Sequence, residues 1–174
     1  MTFRGDITAQ ECGEYFFRYI NLTAQDTELL AALSEGKTET VAFFENLPQE
    51  LWDYRYEPGK WSCKEILLHL IDTERVFAYR ALRFARSKDA DLPGFDQDEF
   101  ARFAHADSRD PKTLIQEYAS VRNASLSLFG SLDKAALQRV GKASGNPMSA
   151  RAAGFVLCGH DKHHIAVIKE RYLQ

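Results

Sequence analysis

The sequence predicts an all-α fold, a bundle of four main helices with short additional ones. Three observations lead there: long stretches with apolar residues every three to four positions, turn-forming residues confined to the gaps between them, and no run with the strict alternation of a half-buried strand. The five prolines and ten glycines are few for 174 residues. They gather at Pro58-Gly59, Pro93-Gly94, Pro111, Gly141 and Gly145-Asn146-Pro147, which leaves intervals long enough for helices of several turns.

Taken in order, Thr8 and Glu11 have capping-box spacing, and Tyr15, Phe16 and Tyr19 then give a short helix one greasy face, ending near Asn21. The first main helix runs from about Asp26 to Asn46, with Leu29, Leu30, Leu33, Val41 and Phe44 recurring at helical spacing. The second is the best marked. Ser62 and Glu65 form a Ser-x-x-Glu box directly after Pro58-Gly59, and Ile66, Leu70, Phe77, Ala81 and Phe84 trace one stripe as far as about Arg86, with Arg75, Arg83 and Arg86 on a separate, solvated side. A long connection through the loop Leu92-Pro93-Gly94-Phe95 then leads to the third helix. Asp110 caps it and Pro111 takes its first position, where a missing N–H costs nothing; Leu114, Ile115, Tyr118, Val121, Leu128 and Phe129 carry it to about Gly130. After a short helical turn between Leu132 and Gln138, Ser149 caps a final helix through about Tyr172. Its apolar residues lie on nearly every side, which predicts a central position.

With 45% hydrophobic and 27% charged residues, the chain has the composition of one globular domain over residues 1–174. A net charge of -3, from 22 basic against 25 acidic side chains, opposes a nucleic-acid partner, which calls for a concentrated basic surface. No apolar run approaches the roughly 20 residues of a membrane span, and the N-terminus lacks the apolar stretch of a signal peptide. Cys12, Cys63 and Cys158 are odd in number and far apart, the usage of reduced, packed thiols in a cytoplasmic protein. Cys63 stands in the first turn of the second helix, where the helix dipole can lower a thiol pKa.

The chemistry concentrates in Gly159-His160-Asp161-Lys162-His163-His164. Residues four apart stack on one helical face, so His160 and His164 can present nitrogens to one ion, whereas His163 points about 60° away from His160. The natural third ligand is His69, set among leucines and isoleucines in the second helix. A lone histidine on an apolar helix is more often a hydrogen-bonded core residue, and the sequence alone does not bring the two helices together. A divalent transition metal suits imidazole donors, and three of them leave positions open for water or substrate. Asp72 and Thr73, one turn beyond His69 on nearly the same face, are weak candidates for orienting a ligand or accepting a proton. Glu74 and Arg75 lie off that face and read as a structural ion pair, His105 reads as a solvated loop residue, and Trp61 as packing against the bundle end.

Arg55-Tyr56-Glu57-Pro58-Gly59-Lys60-Trp61-Ser62, His69-Leu70-Ile71-Asp72-Thr73-Glu74-Arg75, Leu92-Pro93-Gly94-Phe95-Asp96-Gln97 and the terminal Gly159-His160-Asp161-Lys162-His163-His164 together resemble the DinB-like family of four-helix metal-binding proteins. The resemblance spans nearly the whole chain and implies a DinB-like bundle with a long connection between its second and third helices. It implies metal ligation by His69, His160 and His164; imidazole accommodates zinc, nickel, copper, iron or cobalt, and zinc or nickel is the expected ion. The family includes thiol S-transferases that use bacillithiol or mycothiol and proteins described as metal hydrolases, so it implies hydrolysis or thiol S-transfer on a small-molecule substrate, with a low-molecular-weight thiol as cosubstrate in the second case, and a homodimer. Many relatives carry glutamate where this chain has Asp161, one methylene shorter, which reduces the reach of any base or orienting role there. The competing reading is a non-catalytic metal-binding or stress-response protein in which the three histidines tie two helices together.

Overall fold

The computed structural model describes residues 1–173. Among the described residues seven α-helices form: α1 (Glu14–Ile20), α2 (Leu29–Glu45), α3 (Cys63–Arg86), α4 (Gln97–Phe103), α5 (Pro111–Gly130), α6 (Lys134–Gln138) and α7 (Ala150–Arg171). The four long ones, α2, α3, α5 and α7, make the bundle. Packing is tightest between α3 and α7, between α3 and α5, and where α2 lies on α5 and α7; α1 lies against α7. From Ala150 to Asp161 every residue of α7 is buried, as its all-round apolar character requires.

Helix starts follow local chemistry. Ser62 accepts from the Glu65 N–H at 3.3 Å while the Glu65 carboxylate accepts from the Ser62 N–H at 2.6 Å, a complete capping box. Asp110 and Ser149 accept from Thr113 and Ala152 in the same way. Two expectations fail. Thr8 and Glu11 cap no helix: α1 starts at Glu14 behind Gly13, because Glu11 is drawn off to the buried Arg151 guanidinium at 2.6 Å. α2 begins at Leu29, three residues later than expected, since the Glu28 side chain accepts from the Leu30 and Ala31 N–H groups.

The fold is mainly helical, yet the described residues include three short strands: β1 (Asp91–Leu92), β2 (Val140–Ala143) and β3 (Asn146–Ser149). β2 and β3 form an antiparallel hairpin with Val140 opposite Ser149, and β1 pairs in parallel with β2. Runs of two to four residues are too short to display a period of two. Ser144 (φ 52°) and Gly145 (φ 77°) sit at its turn, two adjacent positive φ values of the kind that suits the right-handed twist of a hairpin. Through β1, this small sheet fastens the long α3–α5 connection to the bundle. α4, inside that connection, starts at Asp96, whose carboxylate accepts from the Asp98 and Glu99 N–H groups.

The apolar core has two parts. One holds Leu29, Leu33, Phe77, Phe84, Phe129 and Phe155; the other holds Phe44, Trp52, Leu67, Leu70, Leu114, Tyr118 and Ile168. Between them in the sequence of α3, α5 and α7 fall Glu74, Arg122 and Asp161, all buried. Arg122 donates from Nε to Glu74 (2.6 Å), from Nη2 to Asp161 (2.8 Å) and from Nη1 to the Leu33 carbonyl of α2 (3.2 Å). The Tyr118 hydroxyl donates to Asp161 at 2.6 Å. All four long helices thus meet in a polar belt at the waist of the bundle.

Candidate metal centre

Facing rows of α3 and α7 bring His69, His160 and His164 together. Nε2 of His160 lies 3.1 Å from Nε2 of His69 and 3.1 Å from Nε2 of His164, and one ligand atom from each of the three lies within 4.8 Å of the others. An sp² nitrogen offers either one lone pair or one N–H, so His160 Nε2 cannot form a proper hydrogen bond with both neighbours at once. A cation among the three nitrogens removes that conflict. At metal–nitrogen distances of about 2.0–2.1 Å and tetrahedral angles, donor atoms stand about 3.3 Å apart, close to the spacing observed.

The surroundings hold the rings in the form that ligates. Burial, helped by His163, pushes His69 down to about 4; burial, then the neighbouring histidines and Arg18, pushes His164 down to about 3. His160 moves in the same direction for the same reasons. All three imidazoles are neutral at physiological pH, as metal binding requires. On its far side, His69 Nδ1 stands 3.4 Å from the Thr73 hydroxyl, one helical turn on, which leaves Nε2 to face the cluster. Trp61 packs on the His69 ring at 4.7 Å between centroids, and Tyr19 meets His160 edge-on at 5.2 Å.

Tyr19 comes this near because residue 159 is glycine. A Cβ there would stand 1.9 Å from the Tyr19 carbonyl oxygen, so any side chain would push α1 away from α7. Beside the cluster opens a cleft of about 210 Å³ whose walls include His69, Thr73, His160, Tyr19, Phe77 and Phe95. A larger groove, about 760 Å³, runs between α2 and the C-terminal half of α7 and touches none of the three histidines.

The model of the DinB superfamily matches residues 32–168. The chain belongs to the DinB superfamily. Among solved structures, YfiT from Bacillus subtilis, described as a probable metal-dependent hydrolase with an unusual four-helix bundle topology, is similar at a TM-score of 0.71 over 82% of each chain. At 18% identity that likeness shows a shared fold. No curated protein matches the chain in sequence.

Measured against the features that the DinB resemblance implies, the remaining candidates separate. Thr73 touches His69 and lines the cleft. Asp72 is ion-paired to Arg75 at 3.3 Å, and burial, partly offset by Arg75, raises its pKa. Asp161 faces away from the histidines into the belt, bound by Tyr118 and Arg122. Glu74 does not pair with Arg75 but with the buried Arg122, and Arg75 reaches Glu117 at 2.7 Å. His163 meets Tyr19 and His164 edge-on, outside the converging set, and His105 adopts φ 51° at the start of a short 3-10 turn. The Cys63 thiol is pushed up to about 12 by burial, which overrides the helix dipole. Sequence reading missed Arg80 and Arg122. The signal was available for Arg122: it continues the row Leu114, Tyr118, Arg122, Ser125, Phe129, the buried face of α5, and a charge on such a row requires a buried partner.

Proposed function

We propose that His69, His160 and His164 hold one divalent transition metal, zinc or nickel, and that the chain is a metal-dependent enzyme acting on a small molecule. The observation that carries this reading is the convergence of three neutral imidazoles beside an open cleft. A closed structural site commonly has four ligands and often thiolates, and Cys12, Cys63 and Cys158, all buried, are not part of the cluster. When bound, such an ion supplies Lewis acidity and activates water or a thiol.

The chain's own residues do the rest. Thr73 keeps the His69 ring oriented, Tyr19 and Trp61 wall two of the imidazoles off from bulk water, and the cleft seats the substrate against the cluster. Hydrolysis is the leading reaction class, supported by the shared fold with YfiT; S-transfer from a low-molecular-weight thiol is the second, supported by the family resemblance. A single domain and a cytoplasmic homodimer belong to the same proposal.

The test is metal content per chain by elemental mass spectrometry, on protein purified without a histidine tag. About one ion per chain is expected, with loss in both His69→Ala and His160→Ala. A folded wild type that takes up neither zinc nor nickel would overturn the reading in favour of a hydrogen-bonded structural cluster.

A further inference from the structure

Among the described residues three arginines are buried: Arg80, Arg122 and Arg151. Two are neutralised by carboxylates, Arg122 by Glu74 and Asp161, and Arg151 by Glu11. Arg80, only 3% exposed, has no carboxylate partner among the described residues. Its Nη2 donates to the Pro93 carbonyl at 3.1 Å and to Ser144 Oγ at 3.2 Å, and its guanidinium carbon lies 4.9 Å from the Phe77 ring centre and 5.7 Å from that of Phe95. Dipoles and aromatic faces stabilise a buried cation less than an anion does, and buried charges are as a rule paired. Both hydrogen bonds come from one nitrogen, which leaves Nε and Nη1 without a protein acceptor among the described residues.

Arg80 lines the same cleft as His69 and His160, and among the described residues no aspartate or glutamate lines it. His69, Thr73, Phe77 and Arg80 follow one another along a single face of α3. Eleven residues of helix separate the Cα levels of His69 and Arg80 by about 16 Å; the Arg80 side chain leans toward the helix N-terminus, which brings its head group back toward the cluster. The space is small. A volume of about 210 Å³ lies below the range of drug-sized pockets.

We infer that Arg80 anchors the anionic group of the ligand, so that the cleft takes a small organic carboxylate with an apolar body, its charge on Arg80 and its opposite end at His69 and His160. Phe77 and Phe95 flank the body, and the N–H groups on Nε and Nη1 that the protein leaves free each offer a charge-assisted hydrogen bond to a carboxylate. The role of the far end rests on the proposed function; the anchoring by Arg80 does not.

The test is an NMR titration of the full chain, as purified and after removal of metal by a chelator, with 3-phenylpropionate and its neutral analogue 3-phenylpropanamide. The acid is expected to bind about tenfold more tightly than the amide, in the chain as purified and equally after its metal has been removed. Arg80→Gln closes that gap and Arg80→Lys, which keeps the charge, retains part of it. Equal binding of acid and amide to the wild type, no saturable shift with the acid, or an undiminished gap in Arg80→Gln would each overturn the inference, and the first two need no variant. Metal content of the same samples separates the two readings. Anion binding that depends on Arg80 in a chain that takes up no metal leaves the anchor standing and removes the metal centre; one metal per chain without preference for the acid does the reverse.

Discussion

Replacing Arg122 by methionine tests the belt at the bundle's waist. The substitution roughly keeps volume and removes three hydrogen bonds at once, to Glu74, Asp161 and the Leu33 carbonyl. Glu74 is left with nothing, since its other oxygen, Oε2, already lacks a partner, while Asp161 keeps only Tyr118. Taking away one member of a buried ion pair costs about 3–5 kcal/mol, because the remaining charge stays desolvated. Against a total of about 5–15 kcal/mol for a domain, Arg122→Met should lose about 4 kcal/mol, read as a shifted urea midpoint at unchanged slope. The sharper test is the double variant Arg122→Met/Glu74→Leu. Deleting the orphaned carboxylate should return about 1 kcal/mol or more of the loss, although a second side chain has been changed. A single variant within about 1 kcal/mol of wild type, or a double variant less stable than the single, would refute the reasoning that orphaned charge sets the magnitude.

Three further outcomes follow from the geometry. Gly159→Ala puts a methyl on the Tyr19 backbone, which cannot rotate away; a loss of about 1–3 kcal/mol is expected, a drop of about 3–10 °C in Tm for a chain of this size, and an unchanged Tm would contradict the contact. Burial raises the Glu11 pKa but its hydrogen bonds and ion pair with Arg151 outweigh that, leaving it lowered below 4.5; its stabilising contribution is therefore full above pH 4.5 and lost as pH falls through the lowered value. Glu11→Gln should accordingly be less stable than wild type at pH 6, with a difference that narrows toward pH 3 in denaturant titrations. Burial pushes Cys12, Cys63 and Cys158 each up to about 12, so iodoacetamide at pH 8 should label none of them rapidly until urea unfolds the chain, and fast labelling of Cys63 in the folded protein would restore the influence of the helix dipole.

The main helices were legible because their signals are local: Ser62-Glu65, Asp110-Pro111 and Ser149 each announce a start within four residues. The ligand pair His160 and His164 was equally legible from helical spacing. What the spacing of one helix does not contain is its partner, so His69 stood as a lone candidate on an apolar helix until the family resemblance tied it to the pair. Thr8 and Glu11 misled because a capping pattern holds only while no stronger partner competes, and Arg151, 140 positions away from Glu11, does. The strands were missed for a different reason, since their pairing partners, Asp91 with Lys142 for example, are distant and the runs are too short for periodicity. Glu74 was read with its sequence neighbour Arg75, yet burial decides pairing in the core, and Arg122 on another helix was the group in need of a charge.

The belt through Arg122 also acts as a ruler. Apolar layers tolerate a helix sliding along its axis, because one leucine replaces another; directional bonds to Leu33, Glu74 and Asp161 do not, and a slip of a single turn, about 5.4 Å, would strand every one of them. Asp161 is the immediate neighbour of His160, and Glu74 stands five residues after His69. The axial heights of α3 and α7 are thus set within a turn or so of the histidines themselves, by residues that never touch the cluster. Mutations in the belt should therefore show up first as a loss of alignment between His69 and the pair on α7, at a site whose own side chains are all intact.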